Sequence, residues 1–177
     1  MQTSVRRLGG ADVAAYRAIR LDALREAPEA FGSDYASASE QPDSYFVDAL
    51  GRLAVFGGFD GADRLVGLIA FARYDGAKYQ HRGDMISVYV RPEARGTGLG
   101  MALIEALFEH ARHHVLQVHC GVATDNARAI ALYRRAGFAV YGTEPRSLFV
   151  NGRFIDEHLM VRFLDQPVQP QGTQERS

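Results

Sequence analysis

The sequence predicts a mixed α/β fold built on one sheet, and three observations carry this prediction. Segments with alternating apolar residues, typical of strands, recur along the chain. Segments with apolar residues three or four positions apart, typical of helices, lie between them. A short polar turn at 60–63 joins two of the strand segments directly, which indicates an antiparallel hairpin. Helices interleaved with a hairpin favour a mixed sheet.

Turn and capping residues give the approximate bounds of these elements. Asp12 is suited to cap a first helix, Pro28 to end it, and Pro42 to occupy the first turn of a second helix. The predicted helices are 12–25, 42–50, 97–112 and 126–136. The predicted strands are 2–8, 52–59, 64–74, 84–91, 115–122, 138–142 and 153–163.

Composition bounds the classes of function. The 177 residues suit one domain, which we place at 1–164, and the Pro- and Gln-rich segment 165–177 has the composition of a disordered tail. With 20 basic and 21 acidic residues, the net charge of −1 gives no electrostatic reason to expect a nucleic-acid or membrane partner. A local basic patch around a small anion is still compatible with this balance.

Targeting and redox signals are weak in this chain. No apolar stretch follows the first ten residues that would suit a signal peptide, so we expect a cytoplasmic protein. The one cysteine, Cys120, cannot form an intrachain disulfide. It lies in an apolar run, which favours a small buried hydrophobe over a nucleophile.

The most informative segment is 88–100, where an apolar strand leads through a proline turn into a glycine-rich loop. An amphipathic helix follows at once. Glycines at alternate positions, Gly96, Gly98 and Gly100, allow positive φ and a close approach of backbone to ligand. Free N–H groups and the positive dipole end of the helix favour an anion there, and Arg95 adds a guanidinium. The alternative is a tight turn that binds nothing.

Two familiar phosphate motifs do not fit this loop. The dinucleotide pattern requires a third glycine where Met101 stands. The P-loop requires Gly-Lys-Ser/Thr, and the predicted helix contains no lysine.

The segment instead resembles the GNAT N-acetyltransferase superfamily. That family has Arg/Gln-x-x-Gly-x-Gly/Ala in its cofactor loop, matched here by Arg95, Gly98 and Gly100. Its Asn-x-x-Ala-x-x-Leu-Tyr…Gly-Phe segment is matched from Asn126 to Phe138. Both motifs in this order are a specific signal, and the close resemblance covers residues 84–140. It implies the GNAT fold, a central and mostly antiparallel sheet with helices on both faces.

The resemblance implies acetyl-CoA as cosubstrate, bound where two strands splay apart at a bulge. One strand would pair with the pantetheine arm and polarise the thioester carbonyl, and the loop amides would hold the pyrophosphate. The implied cofactor-binding residues are Val88, Tyr89, Val90, Arg95, Gly96, Thr97, Gly98, Leu99, Gly100, Met101, Asn126 and Tyr133.

Tyr133 would also be the general acid at the leaving sulfur. A phenol of pKa roughly 10 stays protonated at neutral pH and can serve a thiolate of pKa roughly 8.5. The alternative for Tyr133 is packing on a helix face, and the alternative for Asn126 is a plain helix cap, which is compatible with a cofactor contact.

The motif does not identify the general base. An amine of pKa roughly 10.4 costs about 4.6 kcal/mol to deprotonate at neutral pH, and an α-amine of pKa near 7.8 about 1 kcal/mol. Family members often use a glutamate on the strand before the loop, but this strand offers Asp84 instead. We take Asp84, with His81 as a further candidate, while both also suit a solvated loop.

One of the other polar clusters contains a candidate substrate-binding residue. His110 and His114 are four apart, but the H-E-x-x-H pattern fails at Ala111, and we expect no metal. On the last strand Glu157 points away from its neighbours Asp156 and His158. Since this strand borders the acceptor pocket in the family, Glu157 is a substrate-binding candidate; the alternative is a plain surface strand.

These features predict an enzyme, an acetyl-CoA-dependent N-acetyltransferase. It would transfer acetyl to a primary amine of a small molecule or protein by direct attack in a ternary complex. The alternative is a non-catalytic acyl-CoA-binding sensor or interaction module with the same fold. A larger acyl donor is open, and the resemblance suggests a homodimer. No motif identifies the acceptor, and we expect its pocket in the variable loops at 25–45 and 75–83.

Overall fold

A 7-stranded sheet organises the chain in the computed structural model, which describes residues 2–166. Its strands are β1 (Ser4–Arg7), β2 (Ala54–Phe59), β3 (Leu65–Arg73), β4 (Arg82–Val90), β5 (Gln117–Ala123), β6 (Ala139–Val150) and β7 (Arg153–Phe163). The helices are α1 (Val13–Glu26), α2 (Tyr35–Ser39), α3 (Asp43–Arg52), α4 (Leu99–Ala111) and α5 (Ala127–Arg135). The spatial order is β1-β2-β3-β4-β5-β7-β6. Neighbouring strands are antiparallel except β4 and β5, so the predicted mixed and mostly antiparallel sheet is confirmed.

Helices cover both faces of the sheet because alternate residues of the central strands point to opposite sides. On one face, Leu68 and Ala70 of β3 pack with α1 and α3 around the buried Phe46. On the other face, Ile69 and Phe71 pack against α4, and α5 joins this second core. The buried residues of α4 are Leu99, Leu103, Ile104, Leu107 and Ala111.

Two strand glycines let the N-terminal end of α4 lie close to the sheet. A Cβ added at Gly58 would be 2.6 Å from a methyl carbon of Leu99. A Cβ added at Gly67 would be 3.1 Å from side-chain carbons of both Leu99 and Leu103. The missing side chains therefore fix how deeply the start of α4 is seated, and with it the loop that precedes α4.

The sheet opens between its two parallel strands. β4 and β5 pair only at Arg82–Gln117, Gly83–Val118 and Asp84–His119. After Asp84 the register of β4 with β3 shifts, and Ser87 adopts a φ of +58°, a left-handed conformation that is rare outside glycine. This bulge turns β4 away from β5 and leaves a gap between them.

Asp60 organises the predicted hairpin between β2 and β3. Its Oδ1 accepts hydrogen bonds from the backbone N–H groups of Ala62 and Arg64, both at 3.0 Å, and Oδ2 accepts one from Arg64 Nε at 2.8 Å. The Arg64 backbone N–H, above the other donors, lowers the pKa of Asp60. The turn at 60–63 is confirmed.

Some sequence predictions need correction. Asp12 precedes α1 but does not cap it, because its carboxylate instead accepts from Gly9 N at 2.9 Å and pairs with Arg6 at 2.8 Å. The short helix α2 was not predicted, and β6 continues to Val150 rather than ending at 142. The predicted tail lies outside the described residues except for Asp165 and Gln166. No helix within residues 2–166 is both long and apolar enough to cross a membrane.

Candidate functional site

A cleft of about 930 Å³ lies where β4 and β5 separate. Because the gap passes through the sheet, residues from both faces line the cleft. From the α4 and α5 side come the glycine loop, Asn126 and Tyr133. From the α1 side come Arg20 and the segment after α1, whose 3₁₀ turn Pro28–Ala30 contacts β5 and β6. The motif residues and the predicted acceptor side thus share one cavity.

The glycine loop connects the 3₁₀ turn Pro92–Ala94 to the start of α4. Gly96 has a φ of +80° and Gly98 a φ of +89°, conformations in which other residues are strained. Added Cβ atoms at either position would meet nothing within 4 Å, so the demand is conformational rather than steric.

The loop presents a row of free backbone donors. Among the described residues, none accepts a hydrogen bond from the backbone N–H groups of Gly96 through Gly100. The amide of Met101 differs, since it donates to Gly98 O at 3.1 Å. Unpaired amides at the start of a 13-residue helix form an anion site, so the loop fits the pyrophosphate that the sequence predicts there.

The side chains of this loop stabilise its conformation. Thr97 Oγ1 donates to Ala94 O at 2.7 Å, and Leu99 is buried in the core, so neither side chain lines the cleft. Arg95 Nε donates to Val90 O at 2.9 Å, and its Nη2 lies 3.7 Å from Glu26. Arg95 therefore fastens the loop to the end of β4.

Glu26 ties the same region to α1. The Tyr89 hydroxyl donates to Glu26 Oε2 at 2.7 Å, and burial, then Glu26, raises the pKa of Tyr89. The three predicted residues of β4, Val88, Tyr89 and Val90, all line the cleft.

Tyr133 lines the cleft from α5 and is only 6% exposed. Burial strongly raises the pKa of its hydroxyl, with a smaller effect from neighbouring Cys120. The phenol is therefore a neutral proton donor throughout the physiological range. Cys120 is buried, and burial raises the pKa of its thiol too, as expected for a packed hydrophobe rather than a nucleophile.

Asn126 occupies the N-terminal end of α5 and lines the cleft. Its Oδ1 accepts a hydrogen bond from Ala129 N at 3.1 Å, so it caps the helix. Capping holds the first turn of α5 at the cavity wall, and contact with the cofactor stays a prediction.

Asp84 is not brought to the cavity. It lies on β4 before the bulge and is absent from the described cleft lining, whose first residue on β4 is Met85. Burial raises the pKa of Asp84, while neighbouring Tyr74 and Arg82 oppose that rise. A role for Asp84 as base is therefore not supported by its position.

Glu157 is the carboxylate that does line the cleft. Among the described lining residues it is the one acidic side chain, alongside Arg20, Arg95, Arg128 and Arg135. Ser147 Oγ donates to Glu157 Oε2 at 2.6 Å, and the Glu157 carboxyl group lies beside Gly121 of β5. The strand face predicted for Glu157 thus points into the cavity.

The histidines of α4 stay outside this site. The His110 and His114 rings lie 4.6 Å apart, and His113 lies near Glu109. Within residues 2–166, no three His, Cys, Asp or Glu side chains are grouped closely enough to hold a metal ion.

Arg20 is a lining residue that the sequence did not indicate. It belongs to no motif, and an arginine on an amphipathic helix normally reads as part of a solvated face. Its place in the cleft depends on the segment 27–33 folding back over β5; the predicted acceptor loop 25–45 includes that segment but not Arg20.

Comparison with known proteins agrees with this architecture. The profile of the Acetyltransferase (GNAT) family matches residues 16–138. An L-methionine sulfoximine/L-methionine sulfone acetyltransferase of Pseudomonas aeruginosa is 30% identical over 168 residues, 93% of this chain and 96% of that protein.

Solved structures share the fold. The Brucella melitensis ribosomal-protein-alanine N-acetyltransferase superposes with a TM-score of 0.73 at 27% identity, covering 90% of this chain and 99% of that one. The yncA protein of Salmonella typhimurium, solved with its cofactor acetyl-CoA, superposes with a TM-score of 0.81 at 23% identity, covering 98% and 100%. With the splayed sheet and the glycine loop, the profile match establishes that this chain belongs to the GNAT acetyltransferase family.

Proposed function

We propose that this protein is an acetyl-CoA-dependent N-acetyltransferase that acetylates a primary amine by direct attack in a ternary complex. The observation that carries the proposal is the cleft through the sheet. It joins five loop amides that have no acceptor among residues 2–166, those of Gly96 through Gly100, to the buried Tyr133 and, on its other side, to Glu157. The Pseudomonas relative is named for acetylating amino-acid derivatives, which supports a small amine as acceptor.

Bound acetyl-CoA would supply the thioester whose acetyl group is transferred. The loop amides would hold its pyrophosphate, aided by the positive end of α4 and by Arg128 and Arg135 in the same cleft. Residues Val88, Tyr89 and Val90 would orient the acyl arm through backbone groups on the strand that the bulge releases from β5.

The bonds that form and break determine which proton transfers the protein side chains must assist. A nitrogen–carbon bond forms and the carbon–sulfur bond breaks; the amine loses one proton and the leaving sulfur gains one. Tyr133 would donate the proton to sulfur, since burial keeps its phenol protonated.

Glu157 is positioned to bind the amine acceptor. Held by Ser147, its carboxylate would pair with the incoming ammonium group and guide it toward the gap between the strands. The ammonium must first give one proton to this carboxylate or to water, and the neutral amine then attacks and loses its second proton. The matching test is thiol release from acetyl-CoA across a panel of amino acids, polyamines and peptides. Turnover with one or more amines is expected. Tight acyl-CoA binding with no turnover across the whole panel would instead identify a non-catalytic module.

A further inference from the structure

Arg20 of α1 lines the cleft, and part of its guanidinium group has no hydrogen-bond acceptor among residues 2–166. Its Cζ lies 4.8 Å from the centre of the Phe31 ring, and Nη2 is a distant 3.4 Å from Ser33 Oγ. Its Nη1 is shielded from water and has no hydrogen-bond acceptor among residues 2–166. A buried guanidinium nitrogen without an acceptor is costly. Within residues 2–166, Arg17 Nε and Arg82 Nε are also buried without a hydrogen-bond acceptor, but neither residue lines the cleft, so Arg20 is the one of the three that an anion in the cleft could pair with.

Other arginines around α1 are neutralised within the protein. Arg25 and Arg91 both pair with Asp22, and Arg17 lies 3.5 Å from Asp43. Within the described part of the chain Arg20 has no such carboxylate partner, and burial lowers its pKa with only Tyr16 and Tyr45 opposing. The cation is therefore kept at the cavity without an internal anion.

We propose that Arg20 binds a carboxylate of the amine acceptor, so that the acceptor is a free amino acid or a similar small zwitterion. The inference rests on the proposed function. Arg20 supplies a planar fork of N–H donors that matches a carboxylate, and Glu157 in the same cleft supplies the anion for the ammonium group. The cofactor's pyrophosphate is assigned to the glycine loop, across the sheet from α1.

Binding of the product tests this assignment without depending on turnover. The protein is saturated with coenzyme A, and N-acetyl amino acids of small, aliphatic, aromatic and thioether side chains are titrated by calorimetry, each beside its primary amide. The N-acetylated pairs differ in the carboxylate and carry no titratable amine. We expect the best-binding acid to be favoured over its amide by roughly 10- to 100-fold.

Variants then test whether Arg20 causes the preference for the acid over its amide. Arg20→Met, which removes the charge but keeps a long side chain, is expected to abolish the preference while leaving coenzyme A affinity unchanged, which also shows that it is folded. Arg20→Lys should retain part of it. Arg17→Met is the matched control, one turn earlier on α1 and outside the cleft lining, and should keep the full preference.

The outcomes separate the two claims. Coenzyme A binding together with equal or absent affinity for every acid and amide pair overturns the Arg20 assignment alone. So does a preference that survives in Arg20→Met, or a loss of coenzyme A affinity in that variant. Failure of the parent protein to bind coenzyme A overturns the proposed function, and this inference falls with it.

Discussion

Burial sets the chemistry of the Tyr133 hydroxyl. Because its pKa is raised, the phenol does not ionise near neutral pH and is available to donate a proton. We expect Tyr133→Phe to lower kcat by about 100-fold or more while changing the KM for acetyl-CoA little, since general acid catalysis contributes on this scale.

Steady-state thiol release with one good acceptor measures this effect. Tyr141→Phe is the matched control, because it removes a hydroxyl from an exposed tyrosine that does not line the cleft. An unchanged kcat in Tyr133→Phe would show that another group protonates the sulfur.

Ser87 carries conformational strain at the bulge that opens the sheet. A φ of +58° is unfavourable for any side chain and worst for a β-branched one. We expect Ser87→Val to lower the free energy of unfolding by about 1–3 kcal/mol. Urea unfolding measures it, with Ser4→Val as control, since Ser4 lies on an exposed edge strand without a positive φ. Equal effects of the two valines would mean that the bulge stores no strain.

At the scale of elements, the β2–β3 hairpin depends on an ionised Asp60. Its folded-state pKa is lowered below the usual 3.8 by donors in its own turn. The stabilisation is therefore present at pH well above that value and is lost as pH falls through the lowered folded-state pKa.

Asp60→Asn is accordingly expected to reduce stability near neutral pH and to match the parent protein in strong acid. The comparison is urea unfolding of both proteins across this range. A stability difference that stays constant from neutral pH to strong acid would show that the charge of Asp60 contributes nothing.

Elements with a clear periodicity were predictable from the sequence, and those without one were not. Helix α4 has an unbroken apolar stripe, and its observed bounds lie within two residues of the predicted 97–112. Helix α2 is five residues long, Tyr35 followed by four small residues, and is too short to show a period. The second half of β6 contains Pro145 and a left-handed Arg146, which interrupt strand alternation.

The site residues were likewise predictable only where a sequence motif contains them. The glycine loop and the α5 segment were legible because their chemistry demands particular residues at fixed spacing. The place of Arg20 in the cleft and the absence of Asp84 from its lining were not, since both depend on tertiary structure: the segment after α1 folding over β5, and the point along β4 at which pairing with β5 ends. Local sequence patterns carry no information about either.

The whole molecule combines two cores on one sheet with a gap between its parallel strands. Leu164, the last residue of the predicted domain, packs on the α4 side, and its N–H donates to Leu116 O at 2.8 Å. We propose that residues 1–164 are sufficient for the fold and the site. The net charge of −1 is spread so that the cleft holds four arginines and one glutamate, an environment suited to a polyanionic cofactor.

The most direct test of this account is calorimetric titration of the purified protein with coenzyme A and acetyl-CoA. We expect saturable binding with one site per chain, and a large loss of affinity in Gly98→Val, because valine cannot adopt the φ of +89° that aims the loop amides. Gly51→Val, at an open position of α3 outside the cleft lining, should bind as the parent does. A folded parent protein with no measurable affinity at high ligand concentration would contradict the assignment of the cleft.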